Sequence, residues 1–60
     1  MKRYFKDFYG TTASISQTKM GFRLVLAGRN WRETKTYETE RGARIAMGKA
    51  LECWKEVEPN

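Results

Sequence analysis

The spacing of apolar positions along this chain changes once, near Thr39. From Phe22 to Ala27 the run FRLVLA is apolar at nearly every position, as in a central strand. After Gly28, the stretch from Asn30 to Glu38 alternates with period two and predicts a partner strand. Upstream, Tyr4 to Gln17 is rich in aromatic, hydroxyl and β-branched residues, which favour extended structure. Gly10 reads as a bulge or bend within that strand, and Lys19-Met20-Gly21 as a turn. Beyond Thr39 the period lengthens. Ala43, Ala46, Met47, Ala50, Trp54 and Val57 recur three and four apart and make one apolar helical stripe. Thr39 is a suitable N-cap, Glu40 suits the positive end of the helix dipole, and Pro59 limits continuation. The expected fold is α+β: a three-stranded antiparallel β-meander packed against one C-terminal α-helix (βββα). Its strands cover about residues 4–17, 21–27 and 30–38 and its helix about 40–57, with residues 1–60 forming a single small domain.

The second hairpin sets which residues share a face. A two-residue loop at Gly28-Arg29, with glycine first, places Leu26 opposite Trp31 and Ala27 opposite Asn30. Phe22, Leu24, Leu26, Trp31 and Tyr37 then share one face with Glu33 and Lys35. Arg23, Val25, Arg32, Thr34 and Thr36 share the other. A three-residue loop would slip the register by one and exchange the faces of the third strand. On the first register, Leu26, Trp31 and Tyr37 are core anchors beneath the helix. The small residues Gly42, Ala43, Ala46 and Ala50 let the helix axis approach the sheet closely.

Sixty residues that are 40% hydrophobic and 32% charged support one small core, since a chain this short buries only roughly 60% of its unfolded surface. Cys53 is the only cysteine and there is no histidine, so no internal disulfide and no metal site are expected, and a reducing compartment follows. The basic start MKRYFKDFYG lacks the apolar run of a signal peptide, and no stretch nears the roughly 20 apolar residues of a membrane span. The expectation is a cytoplasmic protein with no membrane partner. Cys53 has no base beside it, and Glu52, Lys55 and Glu56 read as solvating charges on the polar helix face. No catalytic residue, cofactor or small-molecule substrate is therefore expected, and the chain is not read as an enzyme.

The net charge of +5 is unevenly spread. Residues 1–36 hold eight basic residues against two acidic ones, whereas residues 37–60 hold four against five. Such asymmetry suggests an anionic partner for the first part. The candidate surface is the sheet face away from the helix, with Arg23, Arg32, Thr34 and Thr36 joined by Ser14 and Ser16 from the first strand. Arg29 stands at the hairpin tip, and Lys35 near the core edge completes the set. Guanidinium forks bond phosphates or guanine edges in pairs, and hydroxyls bond phosphates. Two features stand apart. Tyr4, Phe5, Phe8 and Tyr9 lie beside Lys2, Arg3 and Lys6, a mixture that stacks unpaired bases unless its members pack under the helix end near Trp54. Ile45 lies opposite the apolar stripe. With Tyr4 and Phe5 it is the candidate contact for a protein partner or a second copy.

The order GFRLVL, turn, NWRETKTYETERGARIAM, KAL resembles two related DNA-binding folds. One is the N-terminal arm-binding domain of phage and conjugative-transposon integrases, and the other is the plant ethylene-response-factor domain. The resemblance covers roughly residues 9 to 51. It rests on the apolar strand after Gly21, the aromatic-x-Thr of Tyr37-Glu38-Thr39, and a helix starting at Glu40 with Ala43 and Ala46. The first strand departs from those families in being longer, more aromatic and poor in basic residues. What the resemblance implies is a three-stranded sheet, backed by one helix, that reads the major groove of double-stranded DNA through the face around Arg23, Arg32 and Thr34. It also implies an accessory or regulatory factor of the kind phages carry. The alternative is a small protein–protein interaction module, either a homodimer or an inhibitor of a larger protein, using an edge strand, the aromatic N-terminus or Ile45.

Overall fold

The computed structural model describes residues 2–58. The chain is α+β, with one antiparallel sheet and one helix, but the sheet has five strands where three were expected. These are β1 (Lys2–Lys6), β2 (Thr12–Thr18), β3 (Gly21–Ala27), β4 (Arg32–Tyr37) and β5 (Lys55–Val57), with α1 (Glu40–Ala50) between the last two. Their spatial order is β4-β3-β2-β1-β5.

Two corrections account for the added strands. The long first strand is a hairpin, with β1 paired to β2 from Lys2↔Ser16 to Lys6↔Thr12. Gly10 lies in its turn at φ 88° and is not a bulge. Asp7 makes that turn. Its Oδ1 accepts from the Tyr9 and Thr11 backbone N–H groups at 2.9 and 2.8 Å. The helix ends at Ala50 and does not run to residue 57. A helix continued through residues 51–57 would leave the outer edge of β1 without a pairing partner. Instead Leu51 turns extended and buried, its N–H donating to the Met47 carbonyl at 2.9 Å. Cys53 bends the chain at φ 53°, and β5 pairs with β1 as Tyr4↔Val57, Phe5↔Glu56 and Lys6↔Lys55. Trp54 and Val57 therefore belong to no helical stripe.

The core lies between the helix and one sheet face. It comprises Phe5, Ala13, Ile15, Leu24, Leu26, Ala43, Met47 and Leu51, with Phe22, Tyr37, Ala46 and Trp54 packed around it. Thr39 caps the helix as expected, its hydroxyl accepting from the Gly42 N–H at 3.0 Å. The turn at Lys19-Met20 also stands, and Gly21 begins β3 at φ 136°, where a Cβ would run into the Tyr37 carbonyl.

Arg3 ties three elements together. Its guanidinium donates to Glu40 on the helix at 2.8 Å and to Glu56 on β5 at 2.9 and 2.7 Å. Those bonds hold the Glu56 carboxyl below its ordinary range, aided by the charges of Arg3 and Arg44, while partial desolvation opposes the shift. A carboxylate depressed in the fold stabilises it above the unfolded value of about 4.3 and loses that contribution as pH falls through the folded value. Amide protection in β5 should therefore fall as pH drops below the ordinary carboxylate range, and Arg3→Gln should flatten that dependence. Unchanged protection down to full carboxylate protonation would remove Arg3–Glu56 as the clasp on β5.

Candidate nucleic-acid interface

Residues that face each other across antiparallel strands share a side, so the register defines the surface away from the helix. Three rows cross it. Lys2, Ser16, Arg23 and Thr36 form the first, and Val57, Tyr4, Ser14, Val25 and Thr34 the second. Lys55, Lys6, Thr12, Ala27 and Arg32 form the third. The outer rows carry Lys2, Lys6, Arg23, Arg32 and Lys55, all exposed, and lie about 13 Å apart along the strands. The middle row is neutral. Tyr4 anchors it, with the Lys2 Nζ 5.3 Å from its ring centroid.

No carboxylate stands in these rows. Glu33 and Glu56 belong to the helix side, opposite Leu26 and Phe5, and among the described residues the ion pairs are Arg3–Glu40, Arg3–Glu56 and Lys35–Glu33. Five of the twelve basic residues thus sit on the open face, and none of the five is in an ion pair among the described residues. The face is therefore positive throughout its charged rows.

The candidate residues fall into separate places. Arg23, Arg32, Thr34, Ser14 and Ser16 lie together on the open face. Arg29 is exposed at the β3–β4 turn. Lys35 faces the helix side opposite Leu24, 3.6 Å from Glu33, and leaves the set. Tyr4 is on the open face, whereas Phe5 is 1% exposed in the core and is not a surface contact. Ile45 stands exposed on the outer side of the helix, beside Arg41 and Arg44. Lys2, Lys6 and Lys55 are additions to the expected set, because the expected single strand 4–17 is two strands and residues 55–57 are strand rather than helix. The period-two reading of KRYFK, with Arg3 and Phe5 inward, would have placed Lys2 and Lys6 outward.

The β3–β4 register is Leu26↔Glu33 and Ala27↔Arg32, not Leu26 with Trp31 or Ala27 with Asn30. The Gly28 N–H donates to the Trp31 carbonyl at 3.0 Å, so the turn is centred on Arg29-Asn30. Because the slip preserves parity, Arg32, Thr34 and Thr36 keep their predicted side. Trp31 is displaced from the core to the surface, at 50% exposure.

The chain matches no family model, no curated protein and no solved structure. The resemblance over residues 9–51 accordingly stands on the sequence features that suggested it. No helix among the described residues is long and apolar enough to cross a membrane, and no cluster of His, Cys, Asp and Glu gathers among them that could hold a metal ion.

Proposed function

We propose that this protein binds double-stranded DNA through the open face of its sheet. The observation that carries the reading is the gathering of five exposed basic residues, Lys2, Lys6, Arg23, Arg32 and Lys55, unpaired among the described residues, on a face whose rows hold no carboxylate. Phosphate neutralisation by Lys and Arg is the main source of affinity for duplex, and hydroxyls such as those of Ser14, Ser16 and Thr34 add phosphate bonds.

The width of the sheet refines how it docks. Five strands extend about 19 Å across, whereas the major groove is about 12 Å wide and admits a two-stranded ribbon. The β3–β4 ribbon at the sheet edge is therefore the part that enters, bringing Arg23, Arg32, Thr34 and the turn residue Arg29. Lys2, Lys6 and Lys55 then meet the flanking backbone.

Anisotropy of a labelled mixed-sequence duplex, titrated over a salt series, tests this. Affinity should fall steeply with salt, and Arg23→Ala with Arg32→Ala should reduce the slope of log affinity against log salt by about 2. Lys35→Ala, on the helix side, should change neither. No binding at micromolar protein, or an unaltered double variant, rejects the proposal.

The free edge of β4 supports a second reading, in which a partner protein or a second copy adds a strand. Arg32, Glu33 and Lys35 along that edge are charges of the kind that discourage such pairing, so the face ranks first. A dimer by light scattering that protects β4 amides from exchange would reverse the ranking.

A further inference from the structure

One end of the sheet presents three aromatic side chains to solvent. Phe8 and Tyr9 are 78% and 72% exposed in the β1–β2 turn, and Trp31 is 50% exposed at the β3–β4 turn. Thr12↔Ala27 pairing puts these two turns at the same end, about 10 Å apart by strand spacing. Three large aromatic side chains left wet forgo the gain of burial in a chain with so small a core.

Each has a local contact or a bonded backbone. Phe8 and Tyr9 meet edge to face, with ring centroids 5.3 Å apart. The Phe8 N–H donates to the Glu52 carbonyl at 3.1 Å, and the Tyr9 N–H to Asp7 Oδ1. The Trp31 indole lies across Gly28, where a Cβ would collide with it. The cationic row of Lys55, Lys6 and Arg32 runs along this same end, and Arg29 stands between Gly28 and Trp31. The carboxylates near this end include Glu52, Glu33, which faces Lys35 at 3.6 Å, and Asp7, whose two oxygens are both engaged by backbone N–H groups.

Exposed aromatic faces bordered by positive charge are the chemistry that receives unpaired bases. We infer that the Phe8–Tyr9–Trp31 end stacks on unpaired bases of a strand continuing from the duplex on the open face. The inference rests on the duplex-binding reading and adds its substrate class, a junction between double- and single-stranded nucleic acid.

Anisotropy with a blunt duplex, and with the same duplex carrying a six-nucleotide overhang, tests it. The overhang should raise affinity about tenfold or more and quench tryptophan emission. Phe8→Ala with Tyr9→Ala should abolish that gain while leaving blunt-duplex affinity unchanged, and Trp31→Phe should remove the quenching. All three positions are exposed, so the fold survives. Gly28→Ala, whose Cβ would displace the indole, should weaken quenching. Equal affinity for both ligands, with silent aromatic variants, overturns the stacking inference and leaves duplex binding standing. Binding to neither overturns both. Tryptophan emission that shifts to the blue with anionic phospholipid vesicles, and is unmoved by the oligonucleotides, would assign the end to a lipid surface and overturn it too.

Discussion

Phe5→Ala is expected to remove most of the stability of the domain. A buried Phe→Ala substitution costs about 3–5 kcal/mol, and a sixty-residue chain has roughly 3–9 kcal/mol in total. Phe5 is 1% exposed, meets Trp54 edge to face at 5.4 Å, and sits in the pairing between β2 and β5, opposite Ala13 and Glu56. It is the one β1 residue in the buried core. Truncation therefore strikes the closure of β1 and β5 as well as the packing. Urea unfolding should show a midpoint collapsed towards zero denaturant for Phe5→Ala, with Phe5→Leu losing much less because most of the volume remains. A midpoint shift no larger than that of a surface substitution would show that β1 does not close the core.

Asp7→Ala is expected to cost about 2–3 kcal/mol. The Asp7 side chain is 9% exposed, and its carboxylate accepts from Tyr9 and Thr11 through one oxygen and from Glu52, at 3.5 Å, through the other. Those N–H groups belong to the first turn and to the segment leaving the helix, so one side chain fastens two loops at the aromatic end. Removing it leaves donors without an acceptor, which costs more than replacing both partners. Asp7→Asn should recover part of the loss, since its amide oxygen still accepts. Hydrogen exchange should show the loosening confined to residues 7–11 and 51–54. Protection unchanged there would mean that backbone bonds alone, such as Asp7 N–H to Thr11 at 2.9 Å, hold the turn.

The elements legible in the sequence were those whose signal is local. Phe22 to Ala27 reads as a central strand and is one, and Thr39 reads as a cap and is one. β5 was not legible, because KEV is three residues long and Trp54 and Val57 continue the helical spacing by coincidence. Only the tertiary need to cover β1 distinguishes the two outcomes. The split of residues 4–17 was obscured for a related reason. Gly10 in an aromatic and hydroxyl-rich run fits a bulge as well as a turn, and the deciding bonds come from the Asp7 carboxylate. Trp31 was misplaced by a turn centred one residue later than expected. Of the candidate surface, the β2–β4 part followed from strand parity, which that slip left intact. The lysine part depended on β1 and β5, and so stayed hidden with them.

The central claim is that the open face, and not the helix side, meets duplex DNA. Its most direct test is a backbone amide shift map of the labelled protein titrated with an unlabelled mixed-sequence duplex at low salt. The largest shifts should fall on Lys2, Ser16, Arg23, Arg29, Arg32 and Thr34, with the outer helix positions Arg41, Ile45 and Lys49 still. Shifts gathered on that helix surface, or none at saturating duplex, would contradict it.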